Sequence, residues 1–254
     1  MEVFLLCFFF ILGTVMGSFY HVVATRLSCE ESIIKPGSHC PRCNHYLKWY
    51  ENIPIISYLI LKGRCSKCSS KIPLSYLVVE IITGCLFSVC YHSFGLTIEF
   101  LIGLIFISSL VIVIISDIEY MIILDEVLIF STLIISVLYI IFLGFNDAAY
   151  HIYSGMGAFF VMYLIKLFGD KVFKKESLGG GDIKLMFLFG LVLGFPMSIC
   201  TIFLATFIAF PIALIILFSN KENIIPFGPF LSMAAILIFI SKVDILDILN
   251  FLMG

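Results

Sequence analysis

Two aspartates, Asp117 and Asp182, interrupt otherwise apolar stretches of the chain. Asp182 directly follows Gly179, Gly180 and Gly181, which let the backbone approach a substrate or another helix closely. Two carboxylates a few ångströms apart do not both ionise easily, so such a pair shares one proton. The ionised member takes a proton from a water that attacks a peptide carbonyl, and the protonated member donates to the carbonyl oxygen. Brought together, these residues would form an aspartic protease site.

Each aspartate also has a structural explanation when it is considered alone. An aspartate after a glycine turn is a favoured helix N-cap, which would account for Asp182. Asp117 is followed by Glu119, Asp125 and Glu126, a grouping that suits a helix end in the lipid headgroup zone. The joint explanation is better, because the membrane orientation indicated by the basic residues places both aspartates at the same depth. We therefore favour a two-carboxylate site.

Four of the nine cysteines form two C-x2-C pairs separated by 21 residues: Cys40 with Cys43, and Cys65 with Cys68. This pattern indicates a structural zinc site with four thiolate ligands. Two disulfides are the alternative, but the loop is predicted to lie in the cytosol, which is a reducing compartment. His39 and His45 flank the first pair as substitute ligands. Four thiolates would leave no open coordination position, so the metal would fold a polar loop rather than activate water.

The composition is that of a polytopic membrane protein. Hydrophobic residues make up 61% of the chain and charged residues 13%, with a mean hydropathy of +1.16. Because a spanning helix needs about 20 apolar residues, we expect an all-α fold with about eight transmembrane helices. Their predicted positions are 3–25, 74–93, 96–116, 122–143, 150–168, 183–196, 198–218 and 227–241. The sixth is short and is divided from the seventh by a turn at Gly194, and residues 243–253 are expected to lie along the membrane interface.

The basic residues indicate the orientation of the chain. Eight of the fifteen Lys and Arg residues lie between Arg26 and Lys71. Since cytosolic loops are enriched in Lys and Arg, this loop is predicted to face the cytosol, with the N-terminus outside. Following the predicted spans then brings residues 117–121 and 166–184 back to the cytosolic face. Both aspartates are expected at this edge, where water can reach them.

Further motifs occur in a fixed order along most of the chain. They are residues 17–27 (GSFYHVVATRL), 40–43 (CPRC), 52–59 (NIPIISYL), 62–65 (KGRC), 76–80 (YLVVE), 117–125 (DIEYMIILD), 179–184 (GGGDIK) and 226–229 (PFGP). This ordered set resembles the type IV prepilin peptidase family, which are GxGD aspartic proteases. Three positions depart from the family pattern: His21 replaces the usual Asn, and Leu77 and Leu124 each replace a Pro. None of the three is a candidate catalytic or metal-binding residue.

The resemblance implies a multi-pass enzyme of the bacterial inner membrane that serves type IV pilus or type II secretion systems. It implies that Asp117 and Asp182 are the catalytic pair, with Gly179 and Gly181 supporting the second aspartate. The implied substrates are prepilins or pseudopilins, which would approach through the membrane lipid. No nucleic acid partner is implied.

The resemblance also implies a second activity, N-methylation of the new N-terminal residue with S-adenosylmethionine as the cofactor. The chain has no G-x-G-x-x-G nucleotide motif. We expect the methyltransferase site to lie in the zinc loop, with Gly63 and Arg64 as candidate cofactor contacts. Three parts are expected: a first transmembrane helix at 1–25, the cytosolic four-cysteine loop at 26–72 and a transmembrane aspartic peptidase core at 73–254.

Two other functions compete with this one. A presenilin-like intramembrane aspartyl protease also uses GxGD, but a Tyr would precede its first aspartate and a Pro-Ala-Leu motif would follow. Here Ser116 precedes Asp117, and residues 226–229 read PFGP. A non-catalytic membrane scaffold with a zinc loop that docks a cytosolic partner would leave both acids unexplained.

Overall fold

The computed structural model describes residues 1–218, 226–243 and 247, and this part of the chain is helical. Two isolated β-bridges, His39 with Tyr46 and Arg64 with Lys71, are the only extended pairings within it. The α-helices are α1 (Glu2–Ser28), α2 (Ile56–Ile60), α3 (Leu74–Phe94), α4 (Ile98–Tyr120), α5 (Asp125–Phe142), α6 (Phe145–Phe173), α7 (Gly180–Leu193), α8 (Phe195–Phe218) and α9 (Gly228–Ser241). The all-α fold predicted from the composition is confirmed.

Each of the eight predicted spans coincides with one helix, but in the described part of the chain only six helices are long and apolar enough to cross a membrane. These six are α1, α3, α4, α5, α6 and the Phe195–Ile215 part of α8. Helices α7 and α9 have 14 residues each, or about 21 Å, against a hydrocarbon thickness of about 30 Å. The predicted turn at Gly194 is present, with φ of +79° between α7 and α8. Most of the segment 243–253, expected at the interface, lies outside the described residues.

The chain forms two compact units, Met1–Phe100 and Leu101–Gly254. In the first unit, α1 packs closely against α3. A Cβ added at Gly13 would lie 2.6 Å from the carbonyl oxygen of Thr83, and one at Gly17 would lie 3.0 Å from the Thr83 hydroxyl. Small residues at a helix–helix contact let the two backbones approach, as is common in membrane proteins. The buried Glu80 of α3 accepts the backbone N–H of Ile55 at 2.7 Å, which ties the loop to this helix pair.

Helix α7 forms the core of the second unit, in contact with α5, α6, α8 and α9. Its Leu185, Leu188 and Phe189 side chains have no exposed surface. The ring of Phe106, on α4, contacts Phe189 and also Phe239 of α9. Because protein rather than lipid surrounds α7, this helix can be apolar on every side and still be shorter than a bilayer is thick.

We predict that Gly13→Val will weaken the packing of α1 on α3, because the new side chain would meet the backbone of Thr83 and Gly84. The expected loss is about 1–3 kcal/mol of stability, the usual cost of overpacking a tight contact. Thermal unfolding of the purified protein measures it. The control is Ile11→Val on the same helix, where the side chain is 62% exposed. Equal unfolding temperatures for Gly13→Val and Ile11→Val would contradict the close approach of α1 and α3.

Candidate active site

The structure brings Asp117 and Asp182 together. Asp117 lies in the last turn of α4, and Asp182 lies in the first turn of α7. Each side chain is only 6% exposed, and the two carboxyl groups interact electrostatically. Two acids buried side by side are costly in an apolar bundle, which marks the place as a candidate functional site.

Asp182 is buried with an unsatisfied oxygen. Its Oδ1 has no hydrogen-bond partner among the described residues, whereas the backbone N–H of Gly179 interacts with the carboxyl group. A buried acceptor without a donor costs free energy, so such groups are rare unless they serve a ligand or a reaction. The first turn of α7 also places the positive end of a helix dipole beside this carboxyl group.

The backbone of Gly228 contacts the Asp117 side chain. Gly228 is the first residue of α9, and its N–H is a hydrogen-bonding partner of the Asp117 carboxylate. A Cβ at Gly228 would overlap Oδ2 of Asp117, so a side chain here would displace that carboxylate. In the sequence, residues 226–229 stand out only as a motif, which assigns no role to Gly228. The available signal was a glycine followed by Pro229 at the start of an apolar run, a pattern typical of a helix N-terminus.

Of the three glycines before Asp182, only Gly181 is required by packing. A Cβ at Gly181 would lie 2.7 Å from Cβ of Ile123, which precedes α5. Nothing lies within 4 Å of a Cβ at Gly180, and the nearest atom to a Cβ at Gly179 is the aspartate's own Oδ2 at 3.5 Å. Ile123 also lies 3.2 Å from a Cβ at Gly228. Its side chain therefore fills the space between the first turns of α7 and α9.

An ion pair connects the first turns of α5 and α7. Nζ of Lys184 donates to both carboxylate oxygens of Asp125, at 2.7 and 2.6 Å. Both side chains are 50% exposed, so the pair links the two helices but contributes little to stability. Asp125 thus has a partner and lies away from the buried pair, in keeping with the choice of Asp117 as the first candidate.

The four cysteines of the two C-x2-C pairs converge in the first unit. Their sulfur atoms all lie within 4.8 Å of one another, with 3.8 Å between Cys40 and Cys68 and 3.9 Å between Cys43 and Cys65. Four sulfurs around a zinc ion at about 2.3 Å are roughly 3.8 Å apart in a tetrahedron. The donor set and its spacing therefore fit a metal ion, and all four cysteines are free thiols rather than disulfides.

The two cysteine pairs share one backbone conformation. In each, the N–H of the first cysteine, Cys40 or Cys65, donates at 2.9 Å to the carbonyl five residues later. The residue four positions on, Asn44 or Ser69, has a left-handed φ of 54° or 57° and donates back to the first cysteine. Such a turn aims two sulfurs at one point, so two copies of it give a four-sulfur site.

Neighbouring groups favour the thiolate form of two of these cysteines, Cys40 and Cys68. The hydroxyl of Ser70, helped by the backbone N–H groups of Cys43 and Arg42, lowers the pKa of Cys40 to about 6. The same hydroxyl lies 3.1 Å from the sulfur of Cys68. The backbone N–H of His45 lowers the pKa of Cys43, but burial and the neighbouring sulfurs outweigh it and raise that pKa to about 11. Because a metal binds the thiolate, the positive charge of a bound ion would favour deprotonation of the remaining thiols.

The two histidines beside the first pair have other partners. Nδ1 of His39 lies 2.9 Å from the carbonyl oxygen of Gly37, and Nε2 of His45 lies 3.3 Å from Oε2 of Glu51. The cluster of metal-ligand atoms contains the four cysteines and neither histidine. The cysteines alone form the candidate metal centre of the described residues.

The candidate cofactor contacts Gly63 and Arg64 lie in the turn before Cys65. Gly63 has φ of +65°, and its N–H donates to the carbonyl of Tyr58 at 2.9 Å. A Cβ there would lie 2.8 Å from the Tyr58 hydroxyl. Gly63 is therefore required by the local fold, and Arg64 is exposed.

Two family models match the chain. The one described as "Bacterial Peptidase A24 N-terminal domain" matches residues 11–94, which include the four clustered cysteines. The one described as "Type IV leader peptidase family" matches residues 104–214, which include both buried aspartates. The two matches follow one another along the chain and together span most of it.

Curated relatives that carry the name "Prepilin leader peptidase/N-methyltransferase" are similar to the chain. The Bacillus subtilis protein is 34% identical over 239 residues, covering 93% of this chain and 94% of the relative. The Vibrio cholerae protein is 30% identical over 256 residues, covering 95% and 98%. The Myxococcus xanthus protein is 38% identical over 187 residues, which is 72% of this chain but 54% of the relative. No solved structure gives a significant match.

We predict that the reduced, unchelated protein carries a single tightly bound metal ion per chain. Cys40→Ser and Cys65→Ser should each lose it, because three thiolates leave the tetrahedral site incomplete. Elemental analysis of the purified protein measures the content. Cys29→Ser is the matched control, since Cys29 is an exposed thiol just ahead of the cluster. Metal-free wild-type protein, or equal loss in the control, would contradict the assignment.

Proposed function

The chain belongs to the type IV leader peptidase family, and we propose that Asp117 and Asp182 together hydrolyse the leader peptide of prepilins or pseudopilins. Its relatives over nearly the full length are named prepilin leader peptidase/N-methyltransferase. The chain is accordingly a protease with methyltransferase activity. Beyond the family's activity, we assign the proton transfers of peptide hydrolysis to Asp117 and Asp182.

The observation that carries the proposal is the unsatisfied Oδ1 of Asp182, buried next to a second acid. The N-cap of α7 is Gly179, and Asp182 lies three residues further on inside the helix, so the N-cap role considered from the sequence does not account for Asp182. An acceptor free for water or a substrate is what a general base or acid needs. Two helix starts also supply positive potential here, α7 at Asp182 and α9 at Asp117, which favours a negative charge on one of the two carboxyl groups.

The proposed reaction uses the two carboxyl groups in different protonation states. The ionised one accepts a proton from water as the water oxygen bonds to the peptide carbonyl carbon, and the protonated one donates to the carbonyl oxygen. Collapse of the tetrahedral intermediate returns the oxygen's proton and breaks the C–N bond. The leaving nitrogen takes up a proton from the pair. The pair thereby ends with the one shared proton it held at the start.

The substrate is expected to meet the site at the membrane surface. The basic loop between Arg26 and Lys71 supports an orientation in which the N-terminus lies outside and this loop faces the cytosol. The Asp117–Asp182 pair, called the dyad below, would then also lie at the cytosolic face. The six membrane-length helices fit a multi-pass protein of the inner membrane. A prepilin with a basic leader and an apolar helix would then approach sideways through the lipid, with its cleavage point at the dyad. No nucleic acid takes part in this scheme.

For the metal we propose zinc, held by the four thiolates. The four-sulfur donor set is typical of structural zinc and leaves no open coordination position. The metal would contribute folding free energy to a loop that otherwise contains only short helices. S-adenosylmethionine is the proposed methyl donor, and when bound it supplies an electrophilic methyl group to the amine freed by cleavage.

The competing functions fit less well. A presenilin-like protease is not favoured, because the two family models and the relatives all belong to the leader peptidase group. A non-catalytic scaffold would not need two acids buried in contact with helix starts. The cysteine cluster alone would suit a scaffold, but the dyad would not.

We predict that Asp117→Asn and Asp182→Asn each reduce cleavage of a leader-bearing prepilin by about 10²–10⁴-fold, the usual contribution of acid–base catalysis. Asn keeps the shape of Asp but neither takes up nor releases the proton. Cleavage by the purified variants in lipid is followed by mass spectrometry. Glu119→Gln, an exposed acid on the same turn of α4, is the control. Wild-type activity in either Asn variant would rule out the proposed dyad.

A second prediction concerns the backbone around the dyad. Gly228→Ala should lower cleavage by at least about tenfold, because a Cβ there overlaps Oδ2 of Asp117 and displaces the carboxylate. Gly180→Ala adds the same methyl group where nothing lies within 4 Å, so it should leave cleavage nearly unchanged. The comparison uses the same mass-spectrometric assay. Similar activities for the two alanine variants would show that the start of α9 does not position Asp117.

A further inference from the structure

The cysteine-bearing loop of the first unit exposes large apolar side chains within one short segment, residues 48–62. The 3-10 helix Trp49–Asn52 contacts α2 in this segment. On these two helices lie five exposed side chains, called the apolar patch below: Trp49, Tyr50, Ile56, Leu59 and Ile60. The exposed fraction reaches 80% for Trp49 and 74% for Ile60. Exposed apolar groups in such number mark a surface that binds protein or membrane.

The exposed charges of this segment are basic. Lys48 and Lys62 are its first and last residues, and both are exposed. Nζ of Lys48 lies 5.7 Å from the ring centroid of Tyr50. The one acid between the two lysines, Glu51, is buried and accepts the backbone N–H of Lys48 at 2.7 Å. Aromatic and aliphatic side chains flanked by lysines are typical of segments that lie in the headgroup region of a membrane with anionic lipids.

A hydrogen bond to α3 fixes the height of the segment. Glu80 of α3 accepts the backbone N–H of Ile55, the residue before α2, at 2.7 Å. Glu80 lies six residues after Leu74, the first residue of α3, which is about 9 Å along the helix axis. Helix α3 has 21 residues, or about 32 Å, close to a hydrocarbon thickness of about 30 Å. Because α3 starts near the membrane surface, the start of α2 lies level with the lipid.

The backbone at Ile55 is held in an unusual conformation. Its φ is +62°, which a β-branched residue rarely adopts. The N–H of Ile56 donates to the carbonyl of Pro54 at 2.6 Å and closes a tight turn around Ile55. A strained turn persists only where surrounding contacts determine it, and the bond to Glu80 is such a contact. Helix α2 is therefore fixed beside α3, next to the exposed apolar side chains of Leu74 and Val78.

We propose that the apolar patch binds the adjoining membrane surface. The ring of Trp49 lies in the headgroup region, the aliphatic side chains of α2 contact the outer part of the acyl chains, and Lys48 and Lys62 face anionic headgroups. A protein partner fits less well, because the bond to Glu80 already places α2 at the level of the lipid. The cysteine loop thus lies on the membrane instead of extending away from it. This inference goes beyond the proposed peptidase function and does not depend on the dyad.

The fluorescence of Trp49 tests the proposal, since the sequence contains a single tryptophan. The full-length, metal-loaded protein is placed in lipid nanodiscs that contain an anionic phospholipid. Lipids brominated near the headgroup end of the acyl chains should lower Trp49 emission by about twofold or more, as expected for a ring at the membrane interface. Lipids brominated near the chain terminus should lower it less. Acrylamide in the water should quench Trp49 less than it quenches the denatured protein.

A paired substitution tests whether the aliphatic side chains hold the segment on the lipid. Leu59→Ser combined with Ile60→Ser removes apolar surface without removing a core contact, because both side chains are exposed. It should make Trp49 more accessible to acrylamide and reduce its quenching by brominated lipid, while the metal content stays at the wild-type level. Ile34→Ser is the matched control, since Ile34 is an exposed aliphatic residue of the same loop outside the patch. The control should keep wild-type quenching.

Three results would overturn the proposal. The first is a wild-type Trp49 that brominated lipids do not quench and acrylamide quenches as fully as in the denatured protein. The second is protection of Trp49 only after a leader-bearing prepilin is added, which would make the patch a protein-docking surface. The third is equal quenching in the paired serine variant and the Ile34→Ser control. Normal cleavage by the two Asn variants of the dyad would refute the peptidase proposal and leave this one standing.

Discussion

The structure depends on keeping two carboxyl groups buried side by side in an apolar helix bundle. Asp117 and Asp182 are each 6% exposed, and burial without compensation would cost several kcal/mol. Compensation comes from backbone rather than from basic side chains: the N-terminal turns of α7 and α9 and the N–H groups of Gly179 and Gly228. A Lys or Arg at this place would hold both acids ionised, whereas helix dipoles favour one negative charge and leave the second group able to carry a proton.

This requirement explains the two short helices. Helices α7 and α9 both begin at the dyad, so neither needs the length of a bilayer, and protein surrounds most of each. Their starts can meet only where side chains are absent, which accounts for Gly181 and Gly228 on either side of Ile123. The half-exposed ion pair of Lys184 with Asp125 then links α7 to the start of α5.

Cysteine spacing predicted the four-cysteine cluster, and membrane orientation with the ordered motifs predicted that Asp117 and Asp182 lie together, but the residues packed around them were not predicted. The C-x2-C pairs and the two isolated aspartates are visible in the sequence because Cys and Asp are unusual in their surroundings. The contacts of Gly228 and Ile123 join distant segments of the chain, which hydrophobic periodicity does not report. Local backbone conformation was not predictable either: Met121 adopts φ of +56°, and α5 begins at Asp125 instead of the predicted residue 122.

The central claim is that the two aspartates act as one catalytic unit, and the activity of the double variant Asp117→Asn with Asp182→Asn tests it most directly. Residues that share one proton-transfer step are strongly non-additive, so removing the second should cost almost nothing once the first is gone. We predict kcat/KM for the double variant within a few-fold of the slower single variant. If the two losses instead multiply, the aspartates contribute independently and the shared-proton account is wrong.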